Sequence, residues 1–382
     1  MNSSRRNALR TIGMATVARA AAPLVGLPTL SQETKTSTSP GGVPSPVFLD
    51  HNENAYGPSE KVLAVLRDAA ASGNRYPRAE YDDLIAKLAA LHSVKPEQIV
   101  FGAGSSEILR MAATTLLGAG RTLIQGAPTY PALGRFAESV GAKVVNVALT
   151  KMYAHDLQTM LARSGESTGL IYICNPNNPT GTLTPRADLE TFIRKLPAHV
   201  TVLIDEAYHH FVGSNGNYAS FLDRPVDDSR IVVCRTFSKV YGLAGLRLGY
   251  AVGAADVIRR LSVGRLRYGV SVISARAAVA ALHDTEYVQL ALKRNADDRQ
   301  EFTNQVNIRM LRCLDSHTNF VMVNPMRPPK VVIDHLKQNN VVIAPAIPEM
   351  EKYIRVSLGT PAELQEFWRV IDLLPPPENM AM

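Results

Sequence analysis

The chain has 382 residues, with 41 Lys and Arg against 34 Asp and Glu, 46% hydrophobic and 20% charged residues. This is enough for two or three domains around a buried core and excludes a largely disordered chain. Three cysteines (Cys174, Cys234, Cys313) without a CxxC pair exclude a disulfide framework and a cysteine zinc site, and no apolar run approaches the ~20 residues of a membrane span. Of the net charge of +7, residues 1–46 hold +4. The rest shows no basic run interleaved with aromatics, so nothing points to nucleic acid.

Within the first 46 residues, Ser4-Arg5-Arg6-Asn7-Ala8-Leu9-Arg10 resembles a twin-arginine export motif, and Ala18-Arg19-Ala20 offers a cleavage pattern. Arg19 is awkward inside the apolar stretch, and a basic extension on a cytoplasmic protein is the competing reading. A Ser/Thr/Pro/Gly-rich linker follows to Pro46. From Val47 the pattern alternates strand and helix. Strands are predicted over 98–102, 122–125, 143–149, 170–174, 200–205, 231–235 and 248–252, several short and almost uniformly apolar, as in a parallel sheet covered on both faces. Helices are predicted over 107–117, 131–140, 155–163 and 185–196, the last with Thr184 as N-cap and Pro185 at its first position. After about residue 254 come longer helices over 274–283 and 285–305, short strands over 319–323, 341–344 and 354–358, and a helix from Pro361. The expected organisation is an export signal and linker (1–46), an arm with a first helix (47–75), a large α/β domain (76–260) and a smaller α+β domain (261–382).

Ligands of open α/β sheets collect beyond the carboxyl ends of the strands. Gly102-Ala-Gly-Ser-Ser-Glu107 leaves a strand and opens a helix, so its N–H groups and hydroxyls could cradle a phosphate, although a plain tight turn reads the same way. Asn175-Pro-Asn-Asn-Pro-Thr-Gly181 follows another strand and is by itself an ordinary turn. Asp205 and Tyr208 end a third, where a capped helix start would look similar. Thr236, Ser238 and Lys239 end a fourth, and Arg247 lies eight residues on.

Together these segments resemble fold type I pyridoxal-phosphate enzymes, and among them the histidinol-phosphate aminotransferase group of class I/II aminotransferases. The resemblance runs over 49–373, carried by Asn52-Glu-Asn-Ala-Tyr-Gly-Pro58, Arg75-Tyr-Pro77, Pro128-Thr-Tyr130, Asn177-Asn-Pro-Thr-Gly181, Asp205-Glu-Ala-Tyr208, Thr236-Phe-Ser-Lys239 and Arg355-Val-Ser-Leu-Gly359. It implies a mostly parallel seven-stranded sheet flanked by helices, with a smaller α+β domain. It implies pyridoxal 5'-phosphate held covalently by Lys239, which also moves the α-proton. Asp205 would face the ring nitrogen, Asn178 and Tyr208 the phenolic oxygen, and Tyr130 the ring face. Ser105, Ser106, Thr236, Ser238 and Arg247 would bind the phosphate, with Tyr76 reaching in from a second subunit, hence a homodimer. Arg355 would clamp the substrate carboxylate, and Tyr56 and Asn319 would line the substrate side.

Two segments depart from the group. Ala344, before Pro345, stands where these enzymes usually carry an arginine for the substrate's phosphate, and Tyr268-Gly-Val-Ser271 replaces a usual Pro-aromatic-Asn. The expected reaction is exchange of an amino group between an amino acid, or an amine such as histidinol phosphate, and a 2-oxo acid by a ping-pong mechanism. An oxygen-dependent oxidase, a decarboxylase or a non-catalytic cofactor-binding protein are the competing readings. His209 and His210 follow Tyr208 without ligand-like spacing and read as structural; no metal is expected.

Overall fold

In the computed structural model, residues 46–375 are described; the expected export motif and linker lie outside them, apart from Pro46. The chain opens with a short strand β1 (Val47–Leu49) and two helices, α1 (Glu60–Ala69) and α2 (Ala79–His92). There follow β2 (Ile99–Gly102), α3 (Ser105–Leu116), β3 (Thr122–Ala127), α4 (Ala132–Ser139), β4 (Lys143–Ala148) and α5 (Leu157–Arg163). Next are β5 (Thr168–Cys174), α6 (Arg186–Lys195), β6 (Thr201–Asp205), β7 (Ile231–Thr236) and β8 (Gly249–Gly253).

These seven longer strands form one sheet in the order β2-β8-β7-β6-β5-β3-β4. All neighbours pair in parallel except β8, which runs antiparallel to both β2 and β7. Alternation along β5 shows why its residues are nearly all apolar. Leu170, Tyr172 and Cys174 face the core under α3 and α7 (Ala255–Ser262), while Ile171 and Ile173 face the core under α6.

Beyond α7 lie α8 (Val272–His283), α9 (Thr285–Ile308), β9 (Arg312–Cys313), β10 (Phe320–Asn324), α10 (Pro329–Gln338), β11 (Val341–Ile343), β12 (Ile354–Ser357) and α11 (Pro361–Ile371). Strands β12, β10 and β9 make an antiparallel sheet, and β11 pairs in parallel with β1. Val47 and Leu49 thereby enter the core built on Phe302, Val321, Phe367 and Trp368. That pairing fixes where the chain leaves β1, and so where residues 50–54 lie.

Local capping departs from expectation at one helix. Thr184 does not cap α6: its Oγ1 accepts from His155 N (3.0 Å) and its backbone pairs with the Asn175 side chain, while Pro185 takes the cap position without a side-chain bond. Ser271, in the segment that departs from the resembled group, has a local task. It caps α8 by accepting from Ser274 N (3.1 Å).

Just behind the carboxyl ends of β6 and β7, Arg235 Nε and Nη2 donate to Glu206 Oε2 (3.2 and 3.0 Å), and Ser220 Oγ donates to the same oxygen (2.6 Å). Both charges are buried. Glu206→Ala is expected to destabilise the protein by about 3 kcal/mol, because the buried guanidinium then keeps only Ser220 Oγ and, at 3.7 Å, the exposed Asp223 carboxylate. Denaturant unfolding would read this as a lowered midpoint.

Candidate active site

The register of the sheet assembles an anion cradle. Gly249 of β8 is paired with Thr236 of β7 on one side and Gly102 of β2 on the other. A Cβ on Gly249 would strike the Ser105 backbone nitrogen, and one on Gly104, whose φ is +76°, would strike the Arg247 guanidinium. Glycine at these two positions lets the start of α3, β8 and Arg247 close on one another. No side chain caps α3, so the N–H groups of Ser105 and Ser106, at the positive end of the helix, are left for a ligand. Thr236 Oγ1 accepts from Ser238 N (3.1 Å) and meets Ser238 Oγ at 2.9 Å, which fixes the turn out of β7.

Lys239 extends this turn. Its Nζ donates to Asn52 O (2.8 Å) and His51 O (3.1 Å) of the arm following β1. Asn52 is held from several sides in a left-handed conformation (φ +53°) that asparagine tolerates. Its N donates to Ser357 Oγ (2.8 Å), its Nδ2 to Tyr208 OH (3.1 Å), and Asn319 Nδ2 donates to its carbonyl (3.0 Å). Tyr208 also accepts from Asn178 Nδ2 (3.4 Å) and packs edge-on against Phe320. Asn178 Oδ1 in turn accepts from Arg355 Nη1 (2.7 Å), while Arg355 Nη2 donates to Asp50 O (2.8 Å). Lys239, Asn178, Tyr208, Asn319 and Arg355 thus form one connected network. Two buried polar atoms in it lack partners: Arg355 Nε and Asn319 Oδ1.

Electrostatics sort these groups. Burial, with the positive charges of Arg355 and Arg247, lowers Lys239 to about 8, against the pull of Glu53 and Asp205. Burial raises Asp205 to about 6, opposed by hydrogen bonds from Tyr172 OH and Ala207 N. Burial likewise pushes the Tyr208 phenol up.

The other expected residues are distributed as follows. Tyr130 is half-buried, and its turn is tied to the 177–181 turn by Asn177, which accepts from Thr129 Oγ1 (2.8 Å) and donates to Pro128 O (3.1 Å). Tyr56 OH donates to Asp298 Oδ2 (2.8 Å) of α9, lining with Asn319 a narrow cleft beside the network. Tyr76 is 69% exposed and stacks on Tyr268 with centroids 4.3 Å apart, outside the network. Ala344 is buried at the end of β11. His209 and His210 are packed ring to ring at 3.8 Å, and among the described residues no His, Cys, Asp and Glu group is arranged to hold a metal.

Asn52, Ser357 and Tyr172 have roles that the sequence alone did not assign. The first two lie inside the motifs 52–58 and 355–359, which was the available signal; Tyr172 is hidden in the apolar strand β5.

Comparisons with known proteins identify the family. The family described as aminotransferase class I and II matches residues 45–371. A histidinol-phosphate aminotransferase of Caldicellulosiruptor saccharolyticus is 33% identical over 331 residues, 86% of this chain and 92% of that protein. Histidinol-phosphate aminotransferase 2 of Carboxydothermus hydrogenoformans is 36% identical over 84% of this chain and 88% of its own. The crystal structure of histidinol-phosphate aminotransferase from Sinorhizobium meliloti in complex with pyridoxal-5'-phosphate superposes with a TM-score of 0.81 at 28% identity, covering 88% of this chain and 93% of that one. A match spanning nearly all the described residues, on a fold type I sheet with these strand-end groups, means that the chain belongs to the class I and II aminotransferases, enzymes of pyridoxal-phosphate-dependent transamination.

Proposed function

We propose that Lys239 Nζ is the amine that attaches to pyridoxal phosphate and carries the substrate's α-proton, with an amino acid and a 2-oxo acid bound in turn against Arg355. The observation that carries this reading is the position of Lys239. It leaves β7 between the Gly104–Arg247 cradle and the Arg355–Asn178 pair, with its amine drawn toward neutrality.

The residues present fit the cofactor. The cradle has backbone N–H groups, hydroxyls and a guanidinium for a phosphate, and the two glycines leave the room a Cβ would fill. Asp205, at the end of β6, supplies a buried carboxylate for the ring nitrogen, and Asn178 and Tyr208 supply hydrogen bonds for the phenolic oxygen. When bound, pyridoxal phosphate supplies an electron-withdrawing ring that stabilises negative charge at the substrate α-carbon. The protein's own part is to hold the carboxylate at Arg355, to move the proton through Lys239 Nζ, and to keep Tyr208 protonated by burying it. Gly104→Ala tests the cradle. A methyl group against Arg247 on a left-handed backbone is expected to weaken cofactor retention by about ten-fold or more, measured by dialysis of the holoenzyme.

The relatives are named for histidinol phosphate, but the buried methyl of Ala344 offers no charge to a phosphate. This favours an amino acid without a phosphate group as the donor. The test is an anaerobic half-reaction screen of the proteinogenic amino acids, ornithine and histidinol phosphate. Reversible bleaching of the bound cofactor's absorbance by one amino acid, restored by a 2-oxo acid, supports the reading. Conversion by histidinol phosphate alone overturns the donor class, and consumption of oxygen without a 2-oxo acid, once air is admitted to the same mixtures, overturns transamination.

The exposed Tyr76–Tyr268 stack supports a homodimer closed over this face, which sedimentation mass tests. Arg5 and Arg6 ahead of Ala18-Arg19-Ala20 support twin-arginine export, which a reporter fusion tests.

A further inference from the structure

Tyr172 and Asp205 sit on neighbouring strands and on the same face of the sheet. In the β5–β6 register, Tyr172 is opposite Leu203 and Cys174 is opposite Asp205, so tyrosine and aspartate are diagonal neighbours. With strands about 4.8 Å apart and a rise of about 3.3 Å per residue, such neighbours lie about 8 Å apart between Cα atoms, a gap only a long side chain spans. Tyr172 spans it: its OH donates to Asp205 Oδ2 at 2.9 Å. The second oxygen, Oδ1, accepts from Ala207 N at 3.1 Å. Tyr172 has no exposed surface and Asp205 is 2% exposed, so water does not supply either bond. Each carboxylate oxygen therefore has one fixed donor from the protein.

The other groups facing Asp205 do not do this work. Cys174 on β5 and Cys234 on β7 flank it in register, both held as neutral thiols by burial. Glu206, next in sequence, is engaged by Arg235 and Ser220. His155, whose Nε2 lies 3.1 Å from Cys174 O, is kept neutral by burial. Lys239 is the remaining cation that favours the ionised carboxylate. A buried carboxylate tends to take up a proton, and a donor aimed at it opposes this.

We propose that Tyr172 is the positioning residue of Asp205: from the adjacent strand its hydroxyl fixes the carboxylate's orientation and holds it anionic, so that it can bind the ring nitrogen of pyridoxal phosphate. This rests on the reading of Asp205 given above. The hydroxyl acts through Asp205 and touches neither cofactor nor substrate.

The experiment is a double-mutant cycle of Tyr172→Phe and Asp205→Asn, reading the pyridoxal phosphate dissociation constant by dialysis of each holoenzyme between pH 5.5 and 9. The phenylalanine keeps the buried ring and removes one oxygen. In the wild type, affinity is lost as pH falls through the Asp205 ionisation. Removing a donor to the charged form moves that loss to higher pH. Tyr172→Phe is expected to shift the midpoint upward by about one unit, which weakens binding about two-fold at pH 7 and close to ten-fold at pH 5.5. On the Asp205→Asn background, where binding is already weak and the Asp205 titration is gone, Tyr172→Phe is expected to change the constant by less than about two-fold at any pH in the range. The proposal is overturned if Tyr172→Phe leaves affinity and midpoint as in the wild type. It is also overturned if the same loss appears on the Asp205→Asn background, which would mark a purely structural tyrosine. Should Asp205→Asn itself leave affinity untouched, the Asp205 assignment fails and the proposal with it.

Discussion

Lys239→Ala is expected to lose transamination by at least about 10⁴-fold, since the substitution removes both the attachment point of the cofactor and the group that moves the α-proton. The fold should survive. Asn52 O, which loses Lys239 as a donor, still accepts from Asn319 Nδ2. Asn52 is further held through Ser357 and Tyr208. Because the folded protein depresses the amine to about 8 from its ordinary value of 10.5, the unfolded chain binds more protons between those values. This group's contribution to stability therefore rises with pH across that window, and it is unfavourable at neutral pH. The variant's melting temperature at pH 7 should accordingly stay near the wild-type value. The same depression sets a kinetic expectation. Capture of pyridoxal phosphate by the wild-type protein requires the unprotonated amine, so its rate should increase about ten-fold per pH unit up to an inflexion near 8 and then level off. Stopped-flow absorbance measures this. A rate still climbing at pH 10 would show an unperturbed lysine, and normal turnover by Lys239→Ala would sink the assignment.

Arg355→Ala is expected to raise the KM for amino and 2-oxo acids by about 100- to 1000-fold, in line with the loss of a charge-assisted, two-pronged contact to a carboxylate. The cofactor dissociation constant should change far less than the KM, because Arg355 is not part of the cradle and reaches the cofactor side only through Asn178 Oδ1 and its charge beside Lys239. Arg355 is already pointed: Nη1 is on Asn178 Oδ1, Nη2 on Asp50 O, and the buried Nε is left without a partner. A carboxylate can use that nitrogen without the side chain having to find its place. Arg355→Lys keeps the charge but not the planar fork, so it should recover only part of the loss. Initial-rate kinetics with the two variants separate charge from geometry. Equal KM values in alanine and wild-type enzymes would mean that the carboxylate is held elsewhere.

The sequence revealed the elements whose pattern is set by burial. Strands β2, β3 and β5 to β8 were legible because both faces of the sheet are covered there, so their residues are buried almost throughout, whereas the edge strand β4 is largely exposed. Strand direction was not legible. Residues 249–253 look like any other apolar run, and nothing local says that β8 is reversed. Thr184 before Pro185 had the composition of a helix cap, but a tertiary contact with His155 took its hydroxyl. At the site, the strand-end residues stood out because polar groups interrupt apolar runs there. Asn52 and Ser357 escaped assignment since their work is to hold other residues, Tyr208 and the arm carbonyls, across more than 150 positions. Tyr172 escaped because, seen from the sequence, a tyrosine in a strand is a core residue; only register reveals the carboxylate diagonal to it.

The reversed strand β8 has a mechanical consequence. Parallel strands present what leaves them to the ligand edge, whereas an antiparallel one presents what enters it. The chain therefore exits β7 through Lys239 and enters β8 just after Arg247, on the same edge, with only residues 240–246 between them. This connection is clamped at several points: Gly242 N donates to Lys239 O, Leu243 N to Phe237 O, and Arg247 Nη1 to Ala244 O. Amine and guanidinium are consequently the two ends of one short braced span. Displacing either should be felt at the other, so a shift that loosens the grip on the phosphate would also misplace the reacting nitrogen.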